Sequence, residues 1–262
     1  MICKNIKSKF FLVSFLLITV FSQLSFAEEN FSKSDVNAFD RMIMNPYSKA
    51  LDDTGTVFAA LTIASPAFLF LPQKADMNGQ GEDQSDLQLF PLCDLWKVGL
   101  EYAETMLLAY GAKEIAKNCV DRARPYMYFD GAPVDKIEEG DWEDSFFSGH
   151  TTLSFAAATF TCFKYCQYFP ESIYKPFVIT CSYSLAAVTA GLRLASGNHF
   201  LTDVLCGAAA GSLVGFLVPW INSFWFKPSI AAGKNENNQG MLNESKLSFD
   251  LLPAGLLLTY RF

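Results

Sequence analysis

The sequence predicts an all-α protein, a bundle of about five to six helices embedded in a membrane. Of its 262 residues, 51% are hydrophobic and 15% are aromatic, and such values are high for an ordinary soluble domain. One long apolar segment also carries Gly207, Gly211 and Gly215 at four-residue spacing, a pattern typical of closely packed membrane helices. A soluble all-helical domain with a buried core is the alternative, because several of the apolar segments are short for a membrane crossing.

The first residues are typical of an exported protein. Three lysines precede an apolar run over residues 10–20, and Ser25-Phe26-Ala27 forms a small-x-small cleavage sequence in front of two glutamates. Residues 1–27 are therefore predicted to be a secretory signal peptide, with an uncleaved first membrane helix as the alternative. Residues 28–53 are polar and are predicted to form an external segment.

Five helical segments are predicted within residues 54–226, the domain expected to carry the function. They are Gly55–Leu71, Leu92–Ala112, the apolar run that follows His150, Phe177–Leu194 and Val204–Trp225. The second segment contains Lys97, Glu101 and Glu104, whose charges are expected to face the bundle interior, a cavity or water. It is therefore the weakest of the predicted membrane spans.

The connections between these segments are polar. The stretch from Pro72 to Leu89 contains glycine and acidic residues, and it is predicted to be a loop. The stretch from Gly131 to Asp144 is strongly acidic and is expected on the external face, where it would screen the approach to the cations described below.

The last part of the chain, residues 227–262, is predicted to be a polar linker followed by a short β-like tail. Leu256, Leu258, Tyr260 and Phe262 alternate along the sequence, as residues on one face of a strand do. The tail is interpreted as a locally packed strand or a disordered end, with a terminal targeting strand of outer-membrane type as the alternative.

Charge and cysteine content argue against two classes of site. The formal net charge of −7 does not provide the basic footprint that nucleic-acid binding requires. The seven cysteines contain no C-x-x-C pair, and the chain has only two histidines. A zinc site is therefore not predicted.

Residues able to carry chemistry fall in three clusters between Lys117 and Asp203. The clusters are Lys117, Arg124 and Pro125; Ser148, Gly149 and His150; and Arg193, His199 and Asp203. Together they supply three cations, two imidazoles and a carboxylate, a set suited to binding a phosphate group and attacking it.

The first two clusters are candidates for anion binding. Lys117 and Arg124 are seven residues apart, so on a continuous helix ended by Pro125 they would share one face. Ser148 and Gly149 precede an apolar helical run, and the backbone N–H groups at a helix N-terminus can bind an anion.

The histidines are candidates for the chemical step. His199 is predicted to open a helix after the break at Gly197-Asn198, with Asp203 four residues further along. The Asp203 carboxylate could then accept the Nδ1 proton of His199 and leave Nε2 as a nucleophile. His150, in the first turn of another helix, could give a proton to a leaving oxygen.

In order and spacing the clusters read K-x(6)-R-P, S-G-H and R-x(5)-H-x(3)-D. This signature resembles the type 2 phosphatidic acid phosphatase (PAP2) superfamily, which includes lipid phosphatases, bacterial non-specific acid phosphatases and vanadium haloperoxidases. The resemblance covers about residues 92–225 and implies a helical bundle of the PAP2/haloperoxidase type. It implies that His199 is the nucleophile, Asp203 its orienting partner and His150 the general acid. The phosphate-binding residues that it implies are Lys117, Arg124, Ser148, Gly149 and Arg193.

Two positions depart from the family pattern. Phe147 stands where the second motif usually begins with proline, and Leu192 stands where the third usually begins with serine. Neither position supplies a charge or the nucleophile. The loss of proline is expected to loosen the loop before Ser148, so it bears on rate or specificity more than on the reaction class.

The resemblance implies a metal-independent phosphatase that uses no cofactor and hydrolyses phosphomonoester or pyrophosphate groups through a phosphohistidine. The expected substrate is a phospholipid or an isoprenoid phosphate, because the clusters are predicted at the outer ends of membrane helices. The expected location is the cell (inner) membrane with the site facing the periplasm or exterior, with the outer membrane or the periplasm as alternatives. Alternative functions are a soluble exported acid phosphatase, a vanadium haloperoxidase and a catalytically inactive membrane protein.

Overall fold

The computed structural model describes residues 31–74, 87–226, 228, 246–252 and 255–261. By its internal contacts the chain divides into two units, Met1–Phe226 and Lys227–Phe262. The predicted signal peptide over residues 1–27 and most of the predicted polar linker lie outside the described residues.

The described part of the first unit contains seven α-helices, five of them long. They are α1 (Ala38–Arg41), α2 (Lys49–Ile63), α3 (Leu95–Cys119), α4 (Val134–Glu138), α5 (Gly149–Tyr168), α6 (Lys175–Ala195) and α7 (Leu201–Asn222). Short 3₁₀ helices occupy Lys33–Asp35, Ser65–Phe70, Leu92–Asp94, Pro125–Tyr128 and Asp141–Glu143. The predicted all-α fold is thus confirmed. The predicted loop from Pro72 to Leu89 contains one small exception, the antiparallel pair β1 (Gln73–Lys74) and β2 (Leu87–Gln88).

Helix α5 is the centre of the bundle, because it contacts α2, α3, α6 and α7. Its middle is made of small side chains, and Ala156, Ala157 and Ala158 are completely buried. Small residues let four neighbouring helices approach one helix from different sides. The first turn of α5 carries His150, so this packing fixes the position of a candidate catalytic group.

Helix α7 packs directly against the backbone of α5 through its glycines. A methyl group added at Gly211 would lie 2.1 Å from the carbonyl oxygen of Thr152, and one at Gly215 would lie 2.4 Å from that of Ala156. The contacts advance along both helices in the same direction, so α5 and α7 are parallel. The N-terminal ends of both helices therefore lie at the same end of the bundle.

Among the described residues, three helical segments are long and apolar enough to cross a membrane. These are Lys49–Phe70, which combines α2 with the following 3₁₀ helix, Lys175–Ala195 and Leu201–Asn222. Large apolar side chains remain exposed along them, such as Val57 (58%), Phe177 (57%) and Leu213 (58%). Such exposed apolar surface fits contact with lipid tails.

The second unit contains a two-stranded antiparallel hairpin, β3 (Lys246–Leu252) and β4 (Gly255–Arg261). The backbone register pairs Leu247 with Tyr260 and Leu251 with Leu256. The predicted β-like tail is thus found as a strand paired to the segment before it, and its last residue lies outside the described part of the chain.

Candidate active site

The three sequence clusters meet at one end of the bundle. Lys117 and Arg193 are in the last turns of α3 and α6, whereas Ser148 directly precedes α5 and Asp203 is in the first turn of α7. The N–H of Ser148 donates to the carbonyl of Asp203 at 3.2 Å, which joins the starts of α5 and α7. Four helix ends therefore surround the candidate site.

The expectation that Lys117 and Arg124 share one face of a continuous helix is wrong. Helix α3 ends before Val120, whose backbone is extended (φ −134°, ψ 98°). The N–H of Arg124 then donates to the carbonyl of Trp142 at 2.8 Å, which holds this stretch against the acidic segment. Pro125 begins a 3₁₀ helix rather than ending an α-helix. Lys117 and Arg124 are brought together by this turn of the chain, not by helical periodicity.

Each of the three cations faces a carboxylate. The pairs are Lys117 Nζ with Asp144 Oδ2 at 3.8 Å, Arg124 Nη2 with Asp141 Oδ1 at 2.6 Å, and Arg193 Nη1 with Asp52 Oδ1. Arg124 and Arg193 are only 4% and 3% exposed, so their charges need a partner when no substrate is bound. A phosphate group that enters the site therefore competes with these carboxylates.

Arg124 also connects the site to the loop of the second histidine. Its Nε donates to the carbonyl of Asp141 at 2.7 Å, and its Nη1 donates to the side-chain oxygen of Asn198 at 3.1 Å. Asn198 is completely buried and directly precedes His199. The guanidinium is thus fixed beside the proposed nucleophile.

Two buried donors near these cations have no hydrogen-bond partner among the described residues. They are Nε of Arg193 and the hydroxyl of Tyr126. Burial raises the pKa of Tyr126 to about 12, so its hydroxyl stays a donor at neutral pH. Unsatisfied buried donors are costly, and a bound phosphate oxygen is the type of acceptor that both lack.

The segment Ser148-Gly149-His150 begins α5 as predicted. Ser148 occupies the N-cap position, but its hydroxyl accepts a hydrogen bond from Thr151 Oγ1 at 2.9 Å and makes no side-chain cap. A methyl group at Gly149 would lie 2.7 Å from the Cδ atom of Lys113, so glycine lets that lysine lie over the helix end. The Nε2 atom of His150 is 3.4 Å from the hydroxyl of Thr56 on α2.

His199 is held by a backbone carbonyl rather than by the Asp203 carboxylate. Its Nδ1 lies 2.8 Å from the carbonyl oxygen of Ser145 but 3.9 Å from Asp203 Oδ2. The expected direct hydrogen bond is therefore absent, because His199 precedes the N-cap residue Phe200 instead of lying on the helix face of Asp203. The tautomer predicted for His199 is retained, since a carbonyl can only accept from Nδ1–H.

The Asp203 carboxylate instead organises the chain around His199. It accepts hydrogen bonds from the hydroxyl of Ser145 at 2.6 Å and from the N–H of Phe200 at 2.8 Å, and it forms an ion pair with Arg122. Because Ser145 supplies the carbonyl that holds His199, Asp203 is linked to the imidazole through one residue.

The charges of the site act on both imidazoles. Burial, followed by the positive charges of Arg124 and Arg193, lowers the pKa of His199 well below its usual value. Burial, followed by the charge of Arg193, lowers the pKa of His150 to about 4. Both imidazoles are therefore neutral at pH 7, and His199 has the form that a nucleophile requires.

Several residues of the site were missed by sequence analysis. Asp52 is 141 positions from its partner Arg193, and an aspartate in a polar N-terminal segment gives no signal. Ser145 acts through its backbone carbonyl, which every residue type provides. Arg122 lies between Lys117 and Arg124, inside the K-x(6)-R-P motif. Its position could have been a signal, but nothing in the sequence distinguished it from an ordinary charged residue of the surface.

In the described part of the chain, no group of three or more His, Cys, Asp or Glu side chains is arranged to hold a metal ion. The groups that the three clusters bring together are cations and imidazoles. Their common chemical property is affinity for an anion, with phosphate-like geometry favoured by the two arginine forks.

Comparison with known proteins identifies relatives of this chain. Residues 98–227 match the family model described as PAP2 superfamily, which confirms the resemblance based on the three clusters. A lipid A 1-phosphatase of Porphyromonas gingivalis is 36% identical over 89 residues, 34% of this chain and 19% of that protein. A PA-phosphatase related-family protein of Dictyostelium discoideum is 30% identical over 111 residues, 40% of this chain and 41% of that protein. The matched part thus spans less than half the length of either relative.

Two crystal structures are also similar in shape. One is a transmembrane PAP2-type phosphatidylglycerolphosphate phosphatase from Bacillus subtilis, 19% identical, with a TM-score of 0.48 over 82% of this chain and 96% of that one. The other is LpxE of Aquifex aeolicus, 18% identical, with a TM-score of 0.44 over 72% of this chain and 98% of that one.

Proposed function

Because residues 98–227 of this chain belong to the PAP2 superfamily, we propose that it is a metal-independent phosphatase. It hydrolyses phosphomonoester or pyrophosphate groups of lipids and forms a phosphohistidine on the way. The substrate is a phospholipid or isoprenoid phosphate, held in the membrane by its apolar tail.

The observation that carries this proposal is the meeting of two imidazoles with two buried arginines at one end of the bundle. Arg124 and Arg193 both act electrostatically on His199 and on His150, and the two imidazoles act on each other. Burial, followed by the charge of Arg124, lowers the pKa of Lys117. Phosphoryl transfer depends mainly on such positioning and on neutralising the charge of the transferred group.

In the binding step the phosphate oxygens take the place of the carboxylates that face the cations. Arg124 and Arg193 offer planar N–H forks, and the unpartnered Nε of Arg193 gains an acceptor. The backbone N–H groups at the start of α5, from Gly149 onward, add donors with the favourable end of the helix dipole. Lys117 contributes a third positive charge.

In the first chemical step Nε2 of His199 attacks phosphorus in line with the leaving oxygen. The P–O bond breaks as the P–N bond forms. His150, which takes up a proton when the negatively charged phosphate group binds, gives this proton to the leaving oxygen. In the second step His150 takes a proton from water, whose oxygen attacks phosphorus and breaks the P–N bond. Phosphate leaves, and both histidines return to their starting states.

Three features support a lipid substrate in the membrane. The part of the chain that the structure describes has three segments long and apolar enough to cross a bilayer. Two of them end beside the site, because Arg193 closes Lys175–Ala195 and Asp203 lies in the first turn of Leu201–Asn222. A relative of this chain is named a lipid A 1-phosphatase. With export of the N-terminus, the site faces the periplasm or exterior.

Phosphate release by detergent-purified protein tests the proposal, with phosphatidate, a prenyl pyrophosphate and a soluble aryl phosphate compared in the presence of a chelator. We expect chelator-resistant release, with a higher kcat/KM for the lipids in mixed micelles than for the aryl phosphate. Preference for the aryl phosphate would overturn the lipid assignment. Absence of release from all three by folded protein would overturn the proposed activity.

A further inference from the structure

An arginine that is not one of the residues of the three clusters connects the candidate site to the N-terminal segment, and its side chain is partly buried. Nη2 of Arg122 contacts Asp40 Oδ2 at 2.6 Å, and Nη1 contacts both Asp203 and the hydroxyl of Thr202, the latter at 2.9 Å. The guanidinium carbon lies 4.2 Å from the ring centre of Phe200, a distance that fits a cation–π contact. One planar cation thus bridges two carboxylates, and both of these are completely buried.

Asp40 on α1 is itself fixed at the start of α7. Its Oδ1 accepts the N–H of Thr202 at 2.8 Å, and its Oδ2 accepts the hydroxyl of Thr202 at 2.7 Å and the amide of Asn37 at 2.7 Å. Burial alone would raise the pKa of Asp40, but the hydrogen bonds from Thr202, Arg122 and Asn37 hold it below its usual value. The carboxylate is therefore ionised and caps the helix that carries Asp203.

From Arg122 an unbroken series of contacts leads to His199. Arg122 pairs with Asp203, the Ser145 hydroxyl donates to Asp203 at 2.6 Å, and the Ser145 carbonyl accepts from His199 Nδ1 at 2.8 Å. The backbone carbonyl of Arg122 also accepts the N–H of Ser145 at 3.0 Å. Ser145 is thus held at its hydroxyl by Asp203, the ion-pair partner of Arg122, and at its N–H by the backbone of Arg122 itself.

The N-terminal segment makes further contacts with the loop that holds His199. The side-chain amide of Asn45 donates to the carbonyl of Leu194 at 3.2 Å, and the N–H of Ser48 donates to the carbonyl of Ser196 at 3.1 Å. Gly197 has φ +73°, and a methyl group there would lie 2.5 Å from the carbonyl oxygen of Asn45. Only glycine fits this backbone conformation and this close approach.

We propose that Arg122 and Asp40 are positioning residues for His199, acting through Asp203 and Ser145. The proposal rests on the proposed function, in which His199 is the nucleophile. It gives one residue of the N-terminal segment, Asp40, which lies outside the matched range 98–227, a role in the reaction. Arg124 and Arg193 are the arginines proposed to bind phosphate. In the described structure their ion pairs are separate from those that Arg122 and Asp40 form.

The physical reason is the cost of leaving charge buried without a partner. If Arg122 is removed, Asp40 and Asp203 face each other without the cation between them, and at least one must move or take up a proton. Either change alters the hydrogen bond from Ser145 and so the position of the carbonyl that holds His199. A displacement of about 1 Å at a reacting atom reduces rates by roughly 100-fold.

Three substitutions test the proposal: Asp40→Asn, Arg122→Lys and Arg122→Gln. We expect kcat to fall roughly 10- to 100-fold in Asp40→Asn and Arg122→Gln. Arg122→Lys keeps the charge but loses the fork, so we expect a smaller loss. The KM and the inhibition constant of inorganic phosphate should change less than about 3-fold, because the phosphate-binding cations are untouched. Arg41→Gln and Asp35→Asn, in the same segment, are matched controls expected to behave as the wild type.

A double variant tests whether the two residues act together. Because Asp40 and Arg122 belong to one network, Asp40→Asn combined with Arg122→Gln should reduce kcat no more than the more severe single change. Multiplied losses would contradict this. Equal rises in KM and in the phosphate inhibition constant would instead assign both residues to phosphate binding and overturn the proposal. Unaltered kcat in Asp40→Asn and Arg122→Lys would overturn it as well.

A measurement that does not depend on turnover separates this proposal from the proposed function. The chain has only two histidines, so ¹⁵N-histidine labelling with a histidine-free affinity tag gives two imidazoles to observe by NMR. In Asp40→Asn we expect the His199 resonances to shift while those of His150 stay unchanged. Unchanged His199 resonances would overturn the positioning role even in an active enzyme. An inactive wild type with the expected shift would overturn only the phosphatase assignment.

A loss of kcat that accompanies unfolding in Asp40→Asn, measured by its thermal midpoint, would assign a purely structural role.

Discussion

At the scale of single residues, the cations proposed to bind phosphate are paired with carboxylates, and substrate and product would compete with these carboxylates. Asp141 is the partner of Arg124 and is also 3.7 Å from Lys136. Its side chain is 29% exposed, whereas that of Arg124 is 5% exposed. Asp141 can therefore move away from the arginine at less cost than the arginine can move from the site.

We predict that Asp141→Asn strengthens inhibition by inorganic phosphate. Removing the negative charge leaves Arg124 with a weaker partner, so the product binds better and leaves more slowly. For a partly exposed pair we expect the inhibition constant to fall roughly 3- to 10-fold. Steady-state inhibition measures it, with Glu138→Gln in the same acidic segment as the control. An unchanged or higher inhibition constant would mean that Asp141 does not compete with phosphate.

The second prediction at this scale concerns the proton on His150. Its pKa of about 4 in the ligand-free site means that it is neutral at pH 7, yet a general acid must carry a proton. A phosphate dianion between the cations raises that pKa again, because an opposite charge favours the protonated imidazole. We therefore predict that phosphate binding at pH 7 is coupled to proton uptake, and that His150→Ala abolishes the uptake.

Calorimetry in buffers of different ionisation enthalpy measures this proton uptake directly. The uptake should decrease as the pH falls toward 4, because about half of the His150 side chains then already carry the proton before phosphate binds. A binding enthalpy that does not depend on the buffer would contradict the assignment of His150 as the proton donor.

Sequence alone identified the residues of this site that have a recognisable chemical type at a fixed spacing. His199 and its Nδ1–H tautomer could be predicted because Asp203 follows at four residues. The sequence wrongly suggested a direct hydrogen bond between them. That bond required the helix to start at His199, whereas it starts at Leu201. Ser145 was beyond prediction, since its contribution is a backbone carbonyl.

At the scale of secondary-structure elements, the parallel pair α5 and α7 controls the geometry of the site. Ser148 directly precedes α5, His150 lies in its first turn, and α7 starts beside His199. The two backbones approach closely at Gly207, Gly211 and Gly215. The four-residue spacing of these glycines predicted close packing in the sequence, but it could not identify α5 as the partner helix.

We predict that Gly211→Ala destabilises the protein and lowers its activity. The new methyl group would lie 2.1 Å from the carbonyl oxygen of Thr152, so the helices must separate at a cost of roughly 1–3 kcal/mol. Gly111→Ala in α3 is the matched control, since no heavy atom lies within 4 Å of its added methyl group. That control should be neutral or slightly stabilising, by up to about 1 kcal/mol, because alanine favours helix.

Thermal unfolding in detergent, followed by circular dichroism, compares the two variants. Equal unfolding midpoints for Gly211→Ala and Gly111→Ala would mean that the contact between α5 and α7 is looser than the structure describes. The same experiment shows whether activity falls with stability, as expected if the helix pair sets the site geometry.

The end of α3 could not be predicted from the sequence. The periodic pattern from Leu92 continued as far as Ala112, while the helix extends to Cys119. The seven-residue spacing of Lys117 and Arg124 then suggested a helix that ran to Pro125. The helix ends earlier than this, because the stretch that follows it forms backbone hydrogen bonds with the acidic segment, which comes later in the sequence.

At the scale of the whole molecule, the exposed apolar surface fits a membrane protein whose polar site lies at the end of the bundle. Three of the helical segments in the described ranges are suited to crossing a bilayer. Large apolar residues are exposed on α3 as well, such as Leu107 (71%) and Ile115 (64%). The same composition allowed the membrane assignment from sequence, whereas the number of crossing helices depended on which charges face the interior. Two of these charges do face the interior. Glu101 on α3 and Lys164 on α5 form an ion pair, and their side chains are only 2% and 1% exposed.

We predict that the protein stays with the membrane fraction after washing with alkaline carbonate and needs detergent for extraction. The apolar surface that contacts lipid tails would otherwise be exposed to water at about 25 cal/mol for each Å². Release by carbonate into the soluble fraction, with phosphatase activity retained, would favour a soluble exported acid phosphatase over the membrane-embedded enzyme.

The central claim, that His199 performs metal-free phosphoryl transfer, is tested most directly by comparing wild type with His199→Ala. Both are assayed for phosphate release from a lipid phosphate in the presence of a chelator, and the fold of each is checked by circular dichroism. We expect chelator-resistant release by the wild type and a loss of several orders of magnitude in the variant. Release by His199→Ala within 10-fold of the wild type would contradict it, as would activity that the chelator abolishes.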